Sequence, residues 1–423
     1  MTKNRFTISI PNTIVLLLSI LVCSGQSFLV QYSMMMCYLV AFLFVFWIAM
    51  RHMQVQFDRD VKILLCIVLF LGISILFSKD SSQTNAYMRL FVCIFIMALI
   101  DLPDNSTNLF IRLCNLFSII VGISIIAEAF IPNLICERLW FIATLSHNQD
   151  ILYSIQKAVA DGMHSGFACE KSAAAFIMNI GLSCEAATYF TNNKLKRTDI
   201  VSVIILVIGL LLTGKRMLLA VPVIIFTVML LFSKRRNKSA TLLLSLALVI
   251  AIVFIALNVM PKSIVVFDRF TMYEDDTLRG RDLLWTYALL IFKSNPLIGC
   301  GFGAYNTLAS SLGLTTGSGA IWSTNAHNIY IQLLAETGII GTLLFSIWMF
   351  KSLIDAIKLN KIIEVVDTET QHDKVFTYFC IFVQCVILLY GLTGNPIYVV
   401  NELMLYGFSI VALGKIRKKY RSN

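Results

Sequence analysis

Charge is what this sequence has least of. Asp, Glu, Lys and Arg make up 14% of its 423 residues, against about 25% in an average soluble domain. Proline, with 7 residues, and histidine, with 5, are also scarce. Hydrophobic residues fill the gap at 58%, and the mean hydropathy is +0.81. One or two water-soluble cores cannot hide that much apolar surface. It falls in blocks of 15–25 residues between short charged stretches, the pattern of membrane-spanning helices. A soluble enzyme, a DNA-binding protein and a secreted disulfide scaffold are excluded.

Two further absences close off other readings. The 11 cysteines form no C-x-x-C pair and no Cys/His metal pattern. Cys23, Cys37, Cys66, Cys93 and Cys114 lie inside apolar runs, where cysteine is a small hydrophobe. No internal repeat is visible, so an inverted-repeat transporter gains no support. The net charge of +10 needs no nucleic acid, because membrane proteins retain basic residues on their cytoplasmic side.

The expected fold class is therefore an all-α polytopic membrane protein, a single transmembrane domain over 1–423. About twelve spans are expected near residues 11–30, 33–50, 61–77, 86–100, 109–131, 166–190, 199–213, 216–232, 240–260, 325–350, 376–394 and 396–414. The first follows Lys3 and Arg5 without a small-residue cleavage signature and reads as a retained anchor. With both termini cytoplasmic, 22 of the 34 Lys and Arg residues fall inside and 12 outside. Two connections are long, 132–165 and 261–324, and both then face outward. The second carries an amphipathic stretch from Asp282 to Ser294, with Trp285 and Tyr287 suited to an interface. Chemistry is expected on that side.

Basic residues on the outer side run against the bias and need a reason. Between Arg197 and Lys234 the chain crosses out and back with only 36 intervening residues, where two full crossings need about 40. The turn Thr213-Gly214-Lys215-Arg216 then lies at the depth of the outer leaflet, where a guanidinium faces a polar cavity or an anionic ligand. Snorkelling to the headgroups is the plain alternative. The same run spells G-x-x-x-x-G-K from Gly209, but Arg216 replaces the Ser/Thr that holds magnesium in a P-loop. Arg279 and Arg281 flank Gly280, so both forks can engage one multi-anionic group. A solvated loop with Arg281 paired to Asp282 is the other reading.

His327 opens the tenth span in Asn325-Ala326-His327-Asn328-Ile329-Tyr330. A helix start aims free N–H groups at an anion and keeps a histidine neutral, available as a base. In a regular helix Tyr330, Ile331, Leu334, Gly338 and Gly341 share its face, with the glycines admitting another helix, while Glu336 points away in a structural role. An ordinary interfacial histidine is the alternative. Glu274-Asp275-Asp276 lacks the spacing of a metal site. Gly299-Cys300-Gly301-Phe302-Gly303 spells a dinucleotide loop without the surrounding βαβ unit, and reads as the tight turn begun by Asn295-Pro296.

The run His327-Asn328-x-Tyr330-x-x-Leu333-x-x-Glu336-x-Gly338-x-x-Gly341 resembles the histidine motif of the O-antigen polymerase and ligase superfamily. Gly280-Arg281-x-x-x-Trp285, the segment Asn295–Gly303 and the Thr213–Arg216 turn are similar to that family's preceding motifs, in the same order. Lys215 stands where the family often has serine. The resemblance is most specific over residues 205–345.

It implies a GT-C-like membrane glycosyltransferase, metal-independent and inverting, with no cofactor. Its donor would be an oligosaccharide on undecaprenyl pyrophosphate, its acceptor another glycan, and its place the outer face of a bacterial plasma (inner) membrane. Membrane lipids and a chain-length regulator are implied partners; nucleic acid is not. By motif, His327, Arg216 and Arg281 would be catalytic, with the arginines on the pyrophosphate. Arg279, Lys215, Asn328, Tyr330 and Trp285 would bind substrate. A repeat-unit polymerase is the expected activity for capsule or lipopolysaccharide synthesis. An O-antigen ligase transferring to lipid A core or protein is the alternative, and a lipid-linked oligosaccharide transporter the next.

Overall fold

The computed structural model describes residues 9–24, 32–51, 59–76, 82–100, 104–131, 133–141, 149–192, 196–233, 281–313, 325–364 and 371–420, with 243 and 250. Among these the structure is helical without a strand. In chain order the α-helices are α1 (Ile10–Cys23), α2 (Ser33–Arg51), α3 (Arg59–Leu76), α4 (Ser82–Leu99), α5 (Asp104–Phe130), α6 (Gln149–Ala160) and α7 (Lys171–Asn192). They continue as α8 (Arg197–Leu212), α9 (Arg216–Phe232), α10 (Arg281–Ser294), α11 (Tyr305–Ser311), α12 (Ile329–Ile363), α13 (Gln371–Tyr390) and α14 (Val400–Lys419).

Each expected span except 240–260 coincides with a helix, and that one lies almost wholly outside the described residues. Among the described residues, five helices are long and apolar enough to cross a membrane: Ser33–Arg51, Ser106–Phe130, Lys171–Asn192, Ile329–Ile363 and Gln371–Tyr390. Arg279, the Glu274–Asp276 run and residues 261–280 and 314–324 of the second long connection also lie outside the described residues.

The chain forms two compact units. The first takes in Met1–Met36, Leu102–Met272 and Val366–Val386; the second takes in Cys37–Asp101, Tyr273–Val365 and Ile387–Asn423.

In the first unit α5 is the centre, packed against α1, α7 and α8. Small residues permit the close approach. A Cβ on Gly209 of α8 would lie 3.4 Å from Gly122 Cα of α5 and 3.0 Å from Met178 Sδ of α7. Gly209 is thus a helix-packing residue in the last turn of α8, and the G-x-x-x-x-G-K spelling forms no phosphate loop. The first long connection is tied down too: α6 sets Ile155 against Ile135 and Cys169.

In the second unit α12 packs on α10 and α3, and α14 on α4. Two polar features mark its opposite ends. At one, Arg417 bridges Asp60 at 2.9 Å and Asp355 at 3.0 Å, and Arg59 pairs with the same two carboxylates. At the other lies a buried network around Gln332 and Glu336. From Gln332 to Asp355 is about 35 Å along α12, close to the thickness of a bilayer core.

Candidate functional site

His327 lies outside the helix that its motif opens. Its backbone is left-handed, φ +51°, and its side chain is exposed. The following Asn328 is the N-cap of α12, and its Oδ1 accepts from the N–H groups of Tyr330 at 3.0 Å and Ile331 at 3.2 Å. That bond satisfies two of the four orphan donors of the first turn. The expected single helical face carrying His327, Tyr330 and Gly338 is therefore not formed. A histidine before the cap, in a conformation that costs an L-residue about 1 kcal/mol or more, projects independently of the helix.

Two anchors fix that projection. Behind His327, the Trp285 indole Nε1 donates to Ala326 O at 3.0 Å, and Ala326 N–H donates to Gln332 Oε1 at 2.9 Å. Ahead of it, Ile329 N–H donates to Gly391 O at 2.8 Å. The Tyr330 hydroxyl donates to Leu388 O at 2.8 Å while its ring stacks on Phe350. Asn328, Tyr330 and Trp285 thus all hold backbone. Arg281 is the first residue of α10, one turn before Trp285 and half-buried. The Asp282–Ser294 stretch forms this helix, as its amphipathic pattern suggests.

Beneath the histidine segment sits Glu336, fully buried. Its carboxylate accepts from Gly303 N–H at 2.8 Å, Tyr305 N–H at 3.1 Å, the Tyr398 hydroxyl at 2.6 Å and Gln332 Nε2 at 3.1 Å. Four donors on two oxygens are what a desolvated carboxylate requires. Asn395 adds a bond to Gln332 Oε1. The Tyr305 hydroxyl donates to Leu284 O at 2.7 Å, and burial raises its pKa. This network joins α10, α11, α12 and the segment Pro396–Tyr398, supporting the structural role expected of Glu336.

The glycine-rich run makes a backbone-to-backbone crossing with α12. Gly299, Gly301 and Gly303 all have positive φ, and α12 itself breaks at Gly338, φ +60° and ψ −166°. Cys300 N–H and Gly301 N–H donate to Ala335 O and Glu336 O, while Ile339 N–H and Ile340 N–H donate to Pro296 O and Leu297 O. A Cβ on Gly299 would stand 2.3 Å from Glu336 C, and one on Gly338 2.4 Å from Leu297 C. What approaches Gly338 is therefore the 295–301 turn and not the helix expected there. Gly341 does face a helix, with Phe70 of α3 2.7 Å from where its Cβ would lie.

In the first unit Arg216 is the first residue of α9 and Lys215 its N-cap, both half-buried, after a turn in which Gly214 has φ +68°. The flanking helices of 16 and 17 residues run about 24 and 26 Å, short of a full crossing. Pro222 lacks the N–H that would bond Leu218 O; Asn179 Nδ2 of α7 donates to that carbonyl instead at 3.0 Å. A second tie comes from His164, whose N–H donates to Leu212 O at 2.9 Å. Ser165 and Gly166 donate their N–H groups to Glu128 at 2.9 Å each, fixing that loop on α5. The His164 ring lies 4.0 Å from Glu128, and burial pushes its pKa down to about 4.

Gln332, Asn395 and Tyr398, the partners of Glu336, have no local signature among the motifs read from the sequence. Asn179 was equally silent, although Pro222 inside an apolar helix advertises a carbonyl in need of a donor.

Residues 201–346 match the family model described as O-antigen ligase. That stretch, which holds Arg216, Arg281 and His327, carries the O-antigen polymerase/ligase superfamily signature. No curated protein matches the chain significantly. The long apolar helices fit a multi-pass membrane protein, and residues 201–346 are similar to the O-antigen ligase family.

Proposed function

With residues 201–346 in the O-antigen ligase family, we propose that this chain is a polysaccharide repeat-unit polymerase. It joins oligosaccharides carried on undecaprenyl pyrophosphate at the outer face of the bacterial plasma membrane, by inverting, metal-independent transfer. One observation carries the catalytic part. His327 is an exposed imidazole outside its helix, and the indole that anchors it, Trp285, lies one helical turn from Arg281.

In this reaction the His327 imidazole takes the proton of the acceptor hydroxyl as that oxygen attacks the anomeric carbon. The bond from that carbon to the pyrophosphate oxygen breaks, and negative charge grows on the leaving group. Arg281, and Arg216 by the family's turn motif, stabilise that charge. A single displacement inverts the centre and needs no protein nucleophile. Lys215 and Arg279 supply further charge for the pyrophosphate. The ionic cluster of Arg59, Asp60, Asp355 and Arg417 precedes the basic tail Lys418-Lys419, which supports a cytoplasmic assignment of that end. His327 and the Glu336 network then belong to the outer end, within twelve spans with both termini inside.

The family model's own description favours a second reading, transfer of a finished glycan to lipid A core or protein. A gel of surface glycan separates the two, using a deletion strain complemented with wild type, Arg216→Ala, Arg281→Ala or His327→Ala. A polymerase defect leaves single repeat units on their normal anchor. A ligase defect leaves long chains on the lipid carrier. A full ladder with all three variants at normal expression rejects glycosyl transfer and favours a transporter.

A further inference from the structure

The second unit contains a cavity of about 230 Å³ that no motif in the sequence announces. Arg89 and Ala86 of α4 line one side, Phe302, Gly303 and Asn306 another, and Asn325, Gln332 and Tyr398 the base. The base is the outer surface of the Glu336 network, since Gln332 and Tyr398 both donate to that carboxylate. Asn325 connects the cavity to the histidine segment, lying two residues before His327 and accepting from Gln332 Nε2 at 3.3 Å and Asn306 Nδ2 at 3.4 Å.

Two groups in this wall have no protein partner among the described residues. Asn306 Oδ1 is buried and accepts nothing. Arg89 is the cavity's one cation and makes no hydrogen bond or ion pair there. It sits seven residues into α4, about 10 Å along the helix, at the end of this unit opposite the Arg59–Arg417 cluster. Its side chain is exposed, so it can meet an anion that enters the cavity. The volume is below the roughly 300–1,000 Å³ of drug-sized sites and suits a single ring. Amides and a phenol are hydroxyl-reading groups, Phe302 offers an apolar surface, and the guanidinium fork fits a carboxylate.

We propose that this cavity binds one acidic sugar residue of the acceptor glycan, with Arg89 on its carboxylate and Asn306 Oδ1 accepting from a ring hydroxyl. Arg89 and Asn306 are specificity-determining residues, and they act on which glycan is held near His327. The ligand class rests on the glycan-transfer function proposed above; the cavity and its unanswered groups do not.

The test titrates methyl β-D-glucuronide onto the full-length chain in detergent micelles, followed by saturation-transfer NMR, with methyl β-D-glucoside and glycerol 3-phosphate as comparison probes. The glucuronide is expected to bind, with the glucoside weaker by about ten- to hundredfold, the loss expected for one charge-assisted hydrogen bond. Arg89→Gln should cause the same loss for the glucuronide and little for the glucoside. Asn306→Leu should weaken both sugars, and serves as a second variant if Arg89→Gln fails to insert. His327→Ala should leave binding intact, so a failure of the transfer chemistry is read separately from a failure of this site. Equal binding of the two sugars, or glucuronide binding unchanged in Arg89→Gln, overturns the proposal. Arg89-dependent binding of glycerol 3-phosphate as tight as the glucuronide also overturns it, and makes the cavity a phosphate headgroup site.

Discussion

Trp285 donates its indole N–H to the carbonyl of Ala326, 41 residues on and immediately before His327. The bond couples the helix that starts at Arg281 to the position of the imidazole. The proposed joint action of Arg281 and His327 relies on this link between their two segments.

Trp285→Phe preserves most of the packing on Leu284 and Ala326 and removes the bond. The expected result is a polymer ladder shortened or lost at normal protein level, with thermal stability reduced by only about 1 kcal/mol. Glycan gels beside a melting curve of the purified variant check it. An unchanged ladder would mean that Ala326 is held without Trp285.

Glu336→Gln replaces one carboxylate oxygen with an NH₂ that cannot accept from Gly303, Tyr305 or Tyr398. At least one donor is left unpaired in a buried site, a cost of about 1–3 kcal/mol. The variant should melt earlier than wild type, and Tyr398→Phe should be less damaging, because it removes donor and demand together.

Asn179→Leu strips Leu218 O of the donor that Pro222 cannot supply. A destabilisation of about 1–3 kcal/mol is expected, with impaired function because α9 begins at Arg216. Pro222→Ala restores an N–H to the same carbonyl, so the double variant should regain stability. Melting temperatures of the four proteins in the cycle measure the coupling, and strict additivity would refute the link.

Gly338→Ala and Gly299→Ala each place a Cβ about 2.4 Å from backbone atoms, at positive φ. Neither side can yield, so both variants should fail to accumulate. Gly313 also has positive φ, +93°, but nothing lies within 4 Å of its Cβ position. Gly313→Ala should therefore cost about 1–2 kcal/mol of conformational strain and still insert. Western blots of membrane fractions discriminate the two outcomes.

Burial lowers the His164 pKa to about 4, below its ordinary 6.5. Between those values the unfolded chain binds a proton that the folded chain refuses, so stability is full above about pH 6.5 and declines as pH falls toward 4. The loss amounts to about 3 kcal/mol from this group. The melting temperature should fall from pH 7 to 4.5 in wild type and fall less in His164→Gln. Glu128, 4.0 Å away, is the titratable group that faces the ring, and Glu128→Gln controls for it.

The membrane class, the helix positions and the Thr213–Arg216 turn were legible in the sequence, because apolar block length and basic-residue bias act locally and need no tertiary partner. The Asn295–Gly303 turn was legible for the same reason: glycine spacing records positive φ directly. The face assigned to His327 was not, since an N-cap at Asn328 and a break at Gly338 depend on which backbone crosses there. The Glu336 network was invisible for a deeper reason. A carboxylate can be buried only if donors converge on it, and these come from Gly303, Tyr305, Gln332 and Tyr398, residues with no common period or motif. Sequence alone determined where the chain becomes helical and which residues carry charge. Tertiary structure decided how the charges and hydroxyls within each unit are answered, because desolvated polar groups find their partners across the fold and not along the chain.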